Sequence, residues 1–124
     1  MGIHDNDDAH DMAKDGDVDA LRVYIAAGRD INYNPSGYAT LLRIAVDHNR
    51  PEFVKLLIEN NANIHIGNPL LFAACYGYTE CVYYLLKANA DFTPNRFGES
   101  PLAYASKNEH ILCVNLLLHA GATV

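Results

Sequence analysis

The stretch Asn68–Phe92, NPLLFAACYGYTECVYYLLKANADF, contains one complete copy of a unit that the rest of the chain repeats. Asn68 has the side chain of an N-cap, and Pro69 stands at a first helical position, where its missing N–H costs nothing. The apolar residues Leu70, Phe72, Ala73 and Ala74 run on to Cys75 and Tyr76, and Gly77 is the expected stop, so the spacing predicts a helix of about two turns. Thr79 is the expected cap of a second helix, in which Val82, Leu85 and Leu86 recur at three- and four-residue spacing and form one apolar stripe. Asn89 closes that helix, because Asn tolerates the left-handed conformation common at helix ends. Isolated helices shorter than about 12–15 residues are marginal in water. Units of this kind must stack.

Working outward, the same pattern returns in TLLRIAVDHNRPEFVKLLIENNANIH (Thr40–His65), in SPLAYASKNEHILCVNLLLHAGATV (Ser100–Val124) and, less closely, in AHDMAKDGDVDALRVYIAAGRDIN (Ala9–Asn32). Asn32 and His65 are 33 residues apart, His65 and Thr93 are 28 apart, and Phe92 and Val124 are 32 apart. The period is therefore about 33 with one short copy, a spacing that marks a solenoid.

These residues resemble the ankyrin repeat family. The third copy carries its pattern at Pro69, Leu70, Ala73, Ala74, Gly77, Val82, Leu85, Leu86, Ala90 and Asp91. The fourth carries it at Gly98, Pro101, Leu102, Ala105, His110, Val114, Leu117, Leu118, Gly121 and Ala122. The resemblance covers nearly the whole chain and implies an all-α solenoid of stacked helix-turn-helix units with short β-hairpin fingers. It implies a single domain over residues 1–124, with repeats at about 5–32, 33–65, 66–93 and 94–124, the first acting as an N-terminal cap. The departures are local. Asp8, Ala9 and His10 replace the Thr-Pro-Leu turn in the first copy, while Leu41, Asn49 and Pro51 depart in the second. Glu109 replaces the turn Gly in the fourth and incurs strain if its φ is positive.

Counting residues between the units locates the fingers. Asn32 to Thr40 leaves room for YNPSGYA and Thr93 to Ser100 for PNRFGE, whereas only Ile66 and Gly67 separate His65 from Asn68. A notch is expected there, flanked by Tyr33, Asn34 and Tyr38 on one side and by Arg96 and Phe97 on the other. The positions that the family points into its groove correspond to Lys14 and Asp15, Asp47 and His48, Cys75 and Tyr76, and Lys107 and Asn108. Lys14, Asp15 and Lys107 read first as solvated residues, whereas Tyr76 is an anchor type common at interfaces. Tyr84 is expected to pack between units and Tyr83 to cover the convex side.

Composition limits the alternatives. The chain has 124 residues, half of them apolar, with no uninterrupted apolar run long enough to span a bilayer. The acidic start MGIHDNDDAH lacks the basic and apolar regions of a secretory signal, and Asn6 stands where myristoylation requires Ser or Thr. A cytoplasmic address is expected, or a host cytosol for a secreted effector. The net charge of −6 lies wholly in residues 1–20, where seven aspartates face Lys14; residues 21–124 hold eight acids and eight bases. The acidic end reads as a solvated cap, or as a surface for a basic partner. A body without a basic stripe argues against nucleic acid.

Chemical motifs fail on inspection. Asp15, Asp17 and Asp19 have calcium-loop spacing, but Ala20 and Ala26 stand where Gly and Glu are needed. The six histidines form no HExxH and no CxxC is present, so neither a metal nor another cofactor is expected. His110 falls where the family has a hydrogen-bonded structural His. Cys81 and Cys113 occupy equivalent places on outer helices, which pack about 8–10 Å apart. That exceeds the usual disulfide Cα separation of about 4.4–6.8 Å, so both read as core residues, and Cys75 as the exposed thiol. No nucleophile, base and orienting group are assembled, and no enzyme is expected.

The leading expectation is a non-enzymatic module that binds a protein through its fingers and groove, at Tyr33, Asn34, Tyr38, Asp47, His48, Cys75, Tyr76, Arg96, Phe97, Lys107 and Asn108. An inhibitor, immunity or effector role and a subunit role are not separated by the sequence. The last helix carries Ile111, Leu112, Leu116 and Leu118 without a polar cap, which solenoids need. That predicts self-association through this end as a homo-oligomer, continuation into a longer protein, or a partner that covers it. A small-ligand or metal role for His48, His65 and Cys75 is the weakest alternative.

Overall fold

The computed structural model describes residues 5–34 and 39–123, with side chains from Asp8 onward. Eight helices lie among the described residues: α1 (Asp5–Asp15), α2 (Val18–Ala26), α3 (Leu41–Asp47), α4 (Pro51–Glu59), α5 (Pro69–Tyr76), α6 (Thr79–Lys87), α7 (Pro101–Lys107) and α8 (Ile111–Ala120). Successive helices pack in pairs. Between pairs, α1, α3, α5 and α7 stack into an inner row, and α2, α4, α6 and α8 into an outer row. This is an all-α solenoid in which each pair touches only its neighbours.

Local chemistry sets the helix starts. Asp17 Oδ1 accepts from the Ala20 amide at 3.0 Å, Thr40 Oγ1 from Arg43 at 3.2 Å, and Ser100 Oγ from Ala103 at 3.0 Å. Each satisfies a donor that the first turn leaves orphaned. Pro51, Pro69 and Pro101 open their helices. Two expected caps are not formed. Asn68 adopts a left-handed conformation (φ 53, ψ 55) and makes no side-chain cap. The tight turn closed by its own amide on the His65 carbonyl at 3.2 Å leaves no room for the extended conformation of an N-cap. Thr79 is the first residue of α6 rather than its cap; its hydroxyl donates to the Gly77 carbonyl at 3.4 Å and faces Cys113 Sγ at 3.7 Å.

The helix stops follow the reading more closely. Asn49 (φ 54), Asn61 (φ 65), Asn89 (φ 65) and Glu109 (φ 61) are all left-handed. Glu109 therefore carries the strain expected of a non-glycine residue at that turn.

The core lies between the rows. Leu21, Leu41, Leu42, Phe53, Leu57, Leu85 and Leu117 are fully or almost fully buried, with Ala45, Ala73 and Ala105 at the close approach of the inner helices. Cys81 and Cys113 are buried free thiols, as read from their positions. Cys75 is half-buried rather than exposed. On α8, Ile111, Leu112 and Leu118 are exposed, but Leu116 is half-buried because it packs against the core. Tyr83 is exposed on α6, and Tyr84 is half-buried beneath the Lys55 ammonium, 5.8 Å from its ring centre.

Candidate functional site

The segments that enter the finger row bend at equivalent side chains. Asp30 Oδ1 accepts from the Asn32 amide, Asn63 Oδ1 from His65 and Asp91 Oδ1 from Thr93, each at 2.9 Å. Asn32 Oδ1 also accepts from the Asn63 amide at 2.8 Å, which ties the first unit to the second. These short side chains offer the backbone a local partner where no sheet does so.

Of the finger between Asn32 and Thr40, the described part shows Asn34 Oδ1 accepting from the Ala39 amide at 3.0 Å. Tyr38, with Pro35, Ser36 and Gly37, lies outside the described residues. The finger between Thr93 and Ser100 is not a strand ladder. It is a turn stitched by Asn95, whose amide donates to the Glu99 carbonyl at 2.9 Å and whose Oδ1 accepts from Phe97 at 2.9 Å and Glu99 at 3.0 Å. The Asn95 side-chain amide and the Tyr104 hydroxyl each donate to the Glu99 carboxylate at 2.7 Å. One backbone bond crosses the finger, from the Asn95 amide to the Glu99 carbonyl, and side chains supply most of the rest.

Where the third finger is missing, an open cleft of about 430 Å³ lies between the His65–Asn68 turn and the Asn95 finger. It is lined by Pro69, Leu71 and Pro101 together with His65, Asp91, Thr93, Pro94 and Glu99. Two carboxylates mark it. Asp91 is held below the usual carboxylate range by the Thr93 backbone N–H and then the Thr93 hydroxyl. Glu99 is held low by the Asn95 amide and then by Tyr104. Hydrogen bonds to the charged form favour ionisation.

On the other side of α5 the same gap is handled differently. Arg43 crosses from α3, donating from Nη1 to the Gly67 carbonyl at 2.8 Å and from Nε to Asp47 at 2.9 Å. Its guanidinium lies 3.5 Å from the centre of the Phe72 ring. Asp47 is therefore engaged within the chain. Phe72, Tyr76 and Tyr78 form a tilted aromatic row, with centroids 6.2 and 5.4 Å apart.

The remaining residues singled out by sequence fall into groups. His48, Tyr76, Lys107 and Asn108 are exposed at the C-terminal ends of the inner helices. Asn108 Nδ2 donates to the Cys75 carbonyl at 2.9 Å, and His110 Nε2 lies 3.0 Å from the same oxygen, so His110 is hydrogen-bonded. Arg96 and Phe97 are exposed near the finger tip, the guanidinium carbon 4.8 Å from the ring centre, and do not line the cleft. Tyr33 is half-buried against the core and lies outside the cleft as well. Arg43, Phe72, Asn95, Glu99 and Tyr104 were not singled out by sequence. Only the Arg43–Asp47 spacing, an (i, i+4) ion pair, carried a signal.

Neither buried thiol is activated. Burial, aided by Glu80, pushes the Cys81 thiol up to about 12, and burial also raises Cys113, so both thiols stay protonated. Among the described residues no group of three His, Cys, Asp or Glu side chains could hold a metal ion. No helix among them is long and apolar enough to cross a membrane.

Paired short helices, left-handed stops and finger turns define a helical-repeat solenoid. A family model described as ankyrin repeats (3 copies) matches residues 9–96 and again residues 42–124, and the chain belongs to the ankyrin repeat family. The repeat is typically a non-enzymatic module for protein–protein interaction. The chain is similar to a probable E3 ubiquitin-protein ligase XBOS32 from Oryza sativa subsp. japonica, at 26% identity over 96% of this chain and 32% of that protein. It is also similar to alpha-latrotoxin-Lh1a from Latrodectus hasselti, at 34% identity over 64% of this chain and 6% of the toxin. The human ankyrin repeat and SOCS box protein 11 is 30% identical over 69% of this chain and 28% of its own length. The chain spans less than a third of each of these relatives.

Proposed function

We propose that this chain, as one domain of four helix pairs, captures a protein partner on the surface made by its fingers and the ends of its inner helices. The observation that carries this is the exposed row His48, Tyr76, Lys107 and Asn108, in which residue type changes from unit to unit above a core of near-constant Leu and Ala. Tyr76 is the anchor: it is 45% exposed and is steadied by Phe72 and Tyr78, so little side-chain freedom is lost when a partner covers it. Phe97, 73% exposed on a finger stitched by Asn95, is the second. The fold supplies the scaffold and these side chains the surface.

A second reading uses the C-terminal repeat. Ile111 and Leu112, both 65% exposed, and Leu118 at 46% form an apolar end suited to a second copy. One capture experiment from native lysate separates the two. The double substitution Tyr76→Ala and Phe97→Ala is expected to lower recovery of the partner at least tenfold with the thermal transition unchanged. Under the second reading Ile111→Ser with Leu112→Ser would abolish association instead, and full capture by the Tyr76 and Phe97 variant would remove the first.

A further inference from the structure

The cleft at the missing finger has its own chemistry, separate from the Tyr76 row. Its volume of about 430 Å³ falls within the range of about 300–1,000 Å³ typical of ligand sites. Its lining contains the Asp91 and Glu99 carboxylates and the His65 imidazole, but neither Lys nor Arg. Pro69, Leu71 and Pro101 are among its apolar lining residues. Resting on the protein-binding reading above, we propose that this cleft receives a loop of a protein partner carrying an arginine or lysine, the cation against Asp91 and Glu99 and the aliphatic stem on Leu71.

The acceptors are available. Both hydrogen bonds from Thr93 go to Asp91 Oδ1, leaving Oδ2 without a partner among the described residues. Glu99 accepts one bond at each oxygen, from Asn95 and from Tyr104. A carboxylate has about four lone-pair sites, so half remain. Both side chains are held by these bonds before any partner arrives, which lowers the cost of ordering them. Ordinary carboxylates are ionised at neutral pH, and these bonds extend the ionised range of both groups to lower pH.

The neighbouring unit fills the corresponding place with its own cation. Arg43, Leu71 and Ala103 each stand three residues beyond Thr40, Asn68 and Ser100, the residues that precede their helices. At the first of these positions a guanidinium meets a carbonyl, a carboxylate and an aromatic ring. At the second, Leu71 is an apolar lining residue and brings no charge of its own, so under this proposal the long cation comes from the partner. A long basic side chain suits both parts, since its stem covers apolar surface while its head remains charged. An acidic or phosphorylated segment would meet like charge.

The test is selection of a phage library of disulfide-looped heptapeptides against the full chain. Enriched loops are expected to carry Arg or Lys, and their synthetic versions to bind at least tenfold more weakly to Asp91→Asn with Glu99→Gln. Leu71→Arg, which plants an internal cation, is expected to do the same in a chain that melts like the parent. Enrichment of acidic or uncharged loops, no enrichment, or unchanged affinity for both variants overturns the proposal. A loop lost only on Tyr76→Ala overturns it too, while the protein-binding reading, judged by lysate capture, would stand.

Discussion

Gly77→Ala is expected to lower stability by about 2–5 kcal/mol, read as a shift of the urea midpoint at constant slope. Gly77 sits at φ 77, where an L side chain costs about 1–2 kcal/mol. A Cβ there would come within 2.5 Å of His110 Nδ1 and 2.7 Å of two ring carbons. The ring cannot yield cheaply, because its Nε2 is bonded to the Cys75 carbonyl across the junction between the third and fourth units. Overpacking of this kind adds about 1–3 kcal/mol. Asn49 and Glu109 stand at the equivalent turn with φ 54 and 61, so the backbone conformation alone is tolerated. Gly98→Ala is the control: its φ is 75 and nothing lies within 4 Å of the added carbon. Equal losses for the two glycines would mean that His110 does not constrain the junction.

Phe53→Ala is expected to cost about 3–5 kcal/mol through lost burial and a residual cavity. Phe53 is fully buried on α4, and α4 packs against α2, α3 and α6. Against a total of about 5–15 kcal/mol for a domain, that is a large fraction. Units in a solenoid hold only their neighbours. The variant should therefore melt in two steps by circular dichroism, with α5–α8 surviving longer than α1–α4. A single transition at the parental temperature would show that the second unit is not the keystone of the stack.

Much of the fold is legible in the residues because its determinants are local. Pro51, Pro69 and Pro101 announce helix starts, Gly77 and Asn89 announce stops, and the Leu and Ala spacing names the buried faces. The missing finger is legible by counting from His65 to Asn68. What escaped depends on partners distant in sequence or on the tightness of that turn. Asn68 has a cap's side chain, but the short turn takes its backbone into the left-handed region. Asp47 reads as a free groove residue until Arg43 is seen to hold it while reaching 24 residues onward to Gly67. Cys75 reads as an exposed thiol until Asn108 and His110 arrive from the next unit. The finger side of the cleft is shaped by Asn95, a residue whose role rests on five hydrogen bonds within its own loop.

The fingers and the ends of the inner helices, not the outer row, are proposed to meet the partner. Amide hydrogen exchange of the chain alone and with its captured partner tests this directly. Slowed exchange is expected at His48, Tyr76, Asn108 and the Asn95–Glu99 finger, with α2, α4, α6 and α8 unchanged. Protection confined to the outer row, or to α8 from Ile111 to Leu118, would contradict it.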